Sequence, residues 1–142
     1  MRLWHKDLIR VLPRQQLISQ WRECCLIAQL IAEKGTPNHI LVNVVADYPI
    51  QHLIYYASIV RDEMTKRGYK CDWNKFGEWI NSETPPSYVP KEEYIAMFHD
   101  WMNGRYYTQC FYNLQEKYDR GGLDYLEWAR IARNKEHKGE IR

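Results

Sequence analysis

The chain has 142 residues, of which 45% are hydrophobic, 27% charged and 14% aromatic, with a net charge of only +2. That length points to one domain with a real core, and the composition excludes a disordered or fibrous chain. No apolar run approaches the ~20 residues of a membrane span, and MRLWHKDLIR is too short and too charged for a secretory signal.

In chain order the first element is a basic start. Residues 1–22 carry Arg2, Lys6, Arg10, Arg14 and Arg22 against Asp7 alone. Such clustering suits a phosphate-contacting face and equally a solvated helix edge. A long helix is predicted from Pro13 to Glu33, with Pro in the first turn and Gly35 as the stop. Leu17, Trp21, Cys24, Ala28 and Ile31 form its apolar stripe. Glu23 lies roughly 120° from the centre of that stripe, on a mixed flank with Gln16, Gln20 and Ile27. It is therefore read as reachable by solvent or ligand.

GTPNHILVNVVADYP breaks the pattern. Its centre has strand-like composition but no obvious partner strand, so a linker or short helical turn is expected. A second helix follows from about Pro49 to Arg67, stopped by Gly68. A short one covers about Asp72 to Asn81, with Asp72 as N-cap. SETPPSYVP reads as a rigid loop. A fourth helix is predicted from Pro90 to Gly104. A fifth puts Tyr107, Phe111, Leu114 and Tyr118 on one face, and a last helix begins near Asp124 and frays into a polar tail over 129–142. The fold class is all-α, one compact domain over residues 1–142.

The four cysteines, Cys24, Cys25, Cys71 and Cys110, form no CxxC pair and read as reduced thiols of a cytoplasmic protein. None of the histidines forms an HxxxH or HExxH pair, and no Cys–His cluster has zinc spacing. A site assembled from distant residues such as His5, Glu23 and His39 stays open. No nucleophile-elbow, P-loop or dinucleotide motif is present. No metal and no organic cofactor is expected. By themselves, a carboxylate on a helix flank, a basic start and many aromatics indicate a helical protein with nucleic acid as a candidate partner.

MRLWH…LPRQQLISQWRECC adds a resemblance. It looks like the start of the pyrimidine dimer DNA glycosylase family, the phage endonuclease V type. The family's Gln, Leu and aromatic-Arg-Glu triplet match Gln15, Leu17 and Trp21-Arg22-Glu23, at the family's distance from the chain start. TKRGYK, SYVPKEE and GRYYTQCFY resemble later family segments, and NHI a Gly-His-Val segment. The likeness spans about residues 1 to 118 and is strongest over 13–25. The Pro-Arg that commonly follows the triplet is missing.

The resemblance implies a DNA glycosylase with abasic-site lyase activity, a monomer acting on double-stranded DNA with a damaged nucleotide, without a membrane partner. The nucleophile would be the chain's terminal amine, whose pKa of about 7.7–8.0 leaves much of it unprotonated where lysine, at ~10.4, is not. Arg2 is a large second residue that blocks removal of the initiator, which puts that amine on Met1; with Met1 cleaved it would fall on Arg2. Glu23 would move protons and stabilise the cationic sugar. Arg2, Arg14 and Arg22 would hold phosphates, with His5, Gln15 and His39 as further contacts. The rivals are an enzyme on a different nucleotide lesion and a non-catalytic nucleic-acid-binding protein on the same scaffold. Charge placement discriminates: if Arg2, Arg14 and Arg22 do not share a face with Glu23, the DNA reading weakens.

Overall fold

The long helix predicted from the 3.6-residue stripe is α1, Arg14–Lys34. The structure, a computed structural model, describes residues 2–34 and 39–141, with side chains as far as residue 136. Pro13 has no N–H to give, and its carbonyl accepts from the Leu17 amide at 2.9 Å, so the helix opens one residue later than predicted. Leu17, Trp21, Cys24 and Ala28 are buried, while Ile31 is half-buried. Gly35, the predicted stop, lies outside the described residues.

Ahead of α1 runs an extended segment and then a 3-10 helix, Lys6–Val11, that the sequence pattern left unassigned. The strand-like run after α1 resolves as a short helix, α2, Ile40–Ala46. Val42 and Val45, one turn apart, go into the core against α1 and α3, and that burial overrides β propensity. α3 spans Ile50–Lys66 behind Pro49, and Gly68 ends it at a φ of +82°. α4, Asn74–Gly77, continues as a 3-10 turn to Ile80. The Asp72 carboxylate accepts from the Asn74 amide at 3.0 Å, but the N-cap position falls on Trp73 and not on the predicted Asp72. A Cβ at Gly77 would stand 2.0 Å from the Ser82 carbonyl, so the turn closes there because the residue is glycine.

The predicted helix from Pro90 to Gly104 is a shorter one. α5 spans only Lys91–Ala96; Met97 is extended and Phe98 takes a φ of +51°. Tertiary contacts cut the helix. Met97 and Phe98 are both fully buried, the Lys6 ammonium takes the Tyr94, Ile95 and Met97 carbonyls at 2.6, 3.2 and 2.7 Å, and His52 Nδ1 accepts from the Phe98 amide. α6, Gly104–Asp119, is capped by Asn103, and α7, Tyr125–Ile141, by a reciprocal Asp124–Glu127 box. The backbone of the polar tail is helical through Ile141.

Among the described residues there is no strand, and the fold is all-α. α1 lies against α3 on one side and against α4 with its 3-10 turn on another; α2 leans on both α1 and α3. α6 and α7 pair, and α7 packs on the N-terminal 3-10 helix, which also touches α3. No helix is long and apolar enough to cross a membrane among the described residues.

Candidate active site on the flank of the long helix

The flank of α1 that bears Glu23 is more enclosed than its sequence suggests. Gln20 is 1% exposed and Ile27 fully buried, while Gln16 and Glu23 are half-buried. The cover over Gln20 is the start of the chain itself.

Gln20 acts toward that segment as a neighbouring strand would. Its Oε1 accepts from the Trp4 amide at 2.6 Å, and its Nε2 donates to the Arg2 carbonyl at 2.8 Å. The Tyr56 hydroxyl, fully buried on α3, lies within donating range of the Trp4 carbonyl at 2.6 Å and of Gln20 Oε1 at 2.8 Å. Burial pushes the Tyr56 pKa well above the ordinary tyrosine value, so it remains a donor. Tyr106 from α6 donates to the Leu3 carbonyl at 2.5 Å. The carbonyls of Arg2, Leu3 and Trp4 are thus all fixed, and the chain start is laid along α1 one helical turn before Glu23, about 4.5 Å along the axis. Met1 lies outside the described residues.

Glu23 Oε2 is buried and has no hydrogen-bond partner among the described residues; neither does His39 Nδ1. His39 occupies the N-cap position of α2 with extended backbone. The Glu23 pKa is raised, first by burial, with the charges of the chain's amino terminus and of His39 pulling it back down. Glu23 Oε2 therefore lies in the field of the amino terminus and of His39 with no hydrogen-bond donor on it among the described residues. Asn43, one turn beyond His39, and Gln16 of α1 also hold buried oxygens unpartnered among the described residues. An orphaned polar atom costs roughly 1–3 kcal/mol; four of the five among the described residues belong to α1, the N-cap of α2 and α2, and the fifth is Ser58 on α3.

Beside this flank a cleft of about 490 Å³ opens between α2 and α6, lined by Arg2, His39, Ile40, Trp101, Tyr106 and Gln109 among others. Arg2 is exposed, its guanidinium 5.4 Å from the Trp4 ring centre.

The other sequence candidates fall elsewhere. His5 is 2% exposed; its Nδ1 accepts from the Asp7 amide at 3.0 Å and its Nε2 pairs with the Met102 carbonyl at 2.8 Å. It caps the 3-10 helix from the interior. Arg14 is exposed and lies over Tyr69 at 5.3 Å, roughly 180° around α1 from Glu23. Gln15 is exposed in the first turn of α1, about 12 Å along the axis from Glu23. Arg22 lines a different cleft, against α4. The structure puts His39 within electrostatic reach of Glu23 and sets Arg2 with His39 on the neighbouring cleft, while Arg14, Arg22, Gln15 and His5 lie elsewhere.

The thiols do not compete as nucleophiles. All four cysteines are free, and burial pushes Cys25 up to about 11 and Cys71 to about 12. No cluster of His, Cys, Asp and Glu suited to a metal ion occurs among the described residues.

Sequence reasoning missed the tether: Gln20 reads as a solvated glutamine and Tyr56 as one of many aromatics. The available signal was the spacing of Gln20 to Glu23, which stacks the two on one flank.

The segment that supplies most of this flank, from the chain start through α3, coincides with a family match. The description of that family is pyrimidine dimer DNA glycosylase, and its model covers residues 1–76, just over half of the chain. The chain belongs to the pyrimidine dimer DNA glycosylase family. No curated protein and no solved structure matches it. Within this DNA glycosylase family frame, Glu23, His39 and Arg2 fall inside the matched span, and Tyr106 and Trp101 beyond it.

Proposed function

We propose that the protein is a DNA glycosylase with abasic-site lyase activity whose chemistry is shared between the terminal amine of Met1 and the Glu23 carboxylate. The unprotonated amine attacks C1′ of the damaged nucleotide. The N-glycosidic bond breaks and the base leaves with its electron pair. Loss of the amine proton opens the sugar ring to an imine, and removal of a C2′ proton then expels the 3′ phosphate by β-elimination. Glu23 takes and returns these protons and balances the cationic intermediate.

One observation carries the reading: a helix glutamate with a buried, unpartnered oxygen and a burial-raised pKa, lying in the field of the amino terminus. The tether by Gln20, Tyr56 and Tyr106 supports it, because an amine on a frayed terminus would not be held for attack. His39 assists from the N-cap of α2, either holding or exchanging a proton with Glu23. Arg2 is the phosphate contact nearest this chemistry.

The dispersal of Arg14 and Arg22 away from the Glu23 face weakens the DNA reading by the charge-placement criterion, and it favours a second reading, an enzyme of the same kind acting on a different nucleotide lesion with fewer phosphate contacts near the reacting sugar. Single-turnover assays separate the two: base release and strand cleavage are measured on dimer-containing and abasic duplexes, with native and N-terminally acetylated protein. Cleavage of both by native protein only is expected. Cleavage of the abasic duplex alone supports the second reading, and equal rates after acetylation contradict both.

A further inference from the structure

A bulky side chain rarely sits at a positive φ, yet Phe98 holds +51° in the turn after α5 while fully buried. Such a conformation costs free energy and persists only where its surroundings fix it. The fixing group is His52 on α3, whose Nδ1 accepts from the Phe98 amide at 2.9 Å. A ring nitrogen accepts only when it carries no proton, so this bond requires a neutral imidazole with its proton on Nε2.

The rest of the turn hangs on Phe98. Its carbonyl accepts from the Trp101 and Met102 amides at 3.0 and 2.7 Å. Its ring packs on Tyr48, His52 and Trp101, with ring centres 5.2, 5.5 and 5.2 Å away. Trp101 lies 5.5 Å from Tyr106, which holds the Leu3 carbonyl. Both rings line the cleft that Arg2 and His39 share.

Burial pulls the His52 pKa below the ordinary histidine value; His99 adds to that, Glu93 opposes it and Lys6 lowers it further. Asp100 lies 3.2 Å from the His99 ring. From the segment before α3 the facing ring is Tyr48, 5.3 Å away, which burial keeps uncharged, with exposed Asp47 beside it.

We propose that His52 is a pH-operated latch on the wall of this cleft. Neutral, it holds the Phe98 turn and through it Trp101. Protonated, it presents a donor where the Phe98 amide needs an acceptor, and the turn lets go. The unfolded chain binds this proton more tightly than the folded one. The latch therefore contributes fully above the ordinary histidine value, and its contribution is lost as pH falls through the lowered value. It rests on α3 and the turn, and not on the chemistry proposed at Glu23.

Nuclear magnetic resonance of the full chain tests it, following the His52 ring, the Phe98 amide and the Trp101 indole as pH falls from neutrality. The Phe98 and Trp101 signals should shift with the midpoint of His52, below the ordinary histidine value, while core signals such as those of Leu17 stay in place. His52→Asn offers an amide oxygen that accepts at the same place and does not titrate. It should hold Phe98 and Trp101 near their neutral-pH signals and abolish the shift. Phe98 and Trp101 signals that stay constant through the His52 midpoint overturn the proposal, as does a wild-type shift in folded His52→Asn. A His52 ring that takes no proton before the whole chain unfolds overturns it too, so the wild-type titration decides the matter even where the variant does not fold.

Discussion

The two halves of the chain differ in the buried polar atoms they leave without partners. Through α3, the side-chain oxygens of Gln16, Glu23, Asn43 and Ser58 and a ring nitrogen of His39 are buried without partners among the described residues. From α4 onward no such atom occurs among them. There Asn134, 6% exposed, accepts from Arg10 Nε at 2.9 Å and donates to the Tyr107 hydroxyl at 2.8 Å and the Asp7 carbonyl at 3.2 Å. The C-terminal half is a satisfied scaffold, and its polar contacts reach back to fasten the N-terminal 3-10 helix. The matched family span carries the unsatisfied groups. The atoms that burial leaves without partners among the described residues therefore lie in the half that holds the candidate chemistry, beside satisfied groups such as Gln20 and Lys6.

The largest effect separating the halves should come from Glu23→Gln. Single-turnover base release should fall by about 10²–10⁴-fold, with duplex binding retained or slightly tighter. A variant with unchanged turnover would leave the carboxylate merely structural.

Next comes the tether. Gln20→Ala strands the Trp4 amide and the Arg2 carbonyl, so urea melts should show a loss of about 1–3 kcal/mol. Turnover per folded molecule should fall as well, because residues 2–4, which lead to the proposed nucleophile, are no longer held in place. Loss of stability with full turnover would show that the tether only supports the fold.

Asn134→Ala sharpens the contrast from the other side. It removes three hydrogen bonds in the scaffold and should also cost about 1–3 kcal/mol, while turnover of the folded fraction remains that of the wild type.

The smallest effect is in pH. Burial raises the Glu23 pKa, so the folded chain holds that proton more tightly than the unfolded chain. Ionisation of Glu23 then opposes folding above the ordinary glutamate range and has no effect below it. Glu23→Gln should melt above the wild type at neutral pH, and the difference should close as pH falls through that range. A difference that widens on acidification would reverse the assigned shift.

Much of this was legible in the residues. The stripe from Leu17 to Ala28 defined α1, Pro49 and Gly68 bracketed α3, and Tyr107, Phe111, Leu114 and Tyr118 marked α6. Glu23 stood out by type and position, whereas nothing in the sequence set His39 above His5. What the pattern could not carry was contact between distant segments. The break after Ala96 depends on Lys6 and His52, far away in sequence. The enclosure of Gln20 depends on residues 2–4, whose extended backbone has no periodicity to read. Basic residues close in sequence also diverged in space: Arg14 and Arg22 are on the same helix as Glu23 but face other surfaces. Net charge in a segment says nothing of the angle at which a helix presents it.

The central claim is that the chain's terminal amine reacts with the sugar beside Glu23. Borohydride trapping on abasic and dimer-containing duplexes, followed by mass analysis of the N-terminal peptide, tests it most directly. The expected result is a covalent adduct on the first residue that disappears when the terminus is acetylated. Absence of adduct from folded protein with either duplex, or an adduct mapped to an internal lysine, would contradict the account.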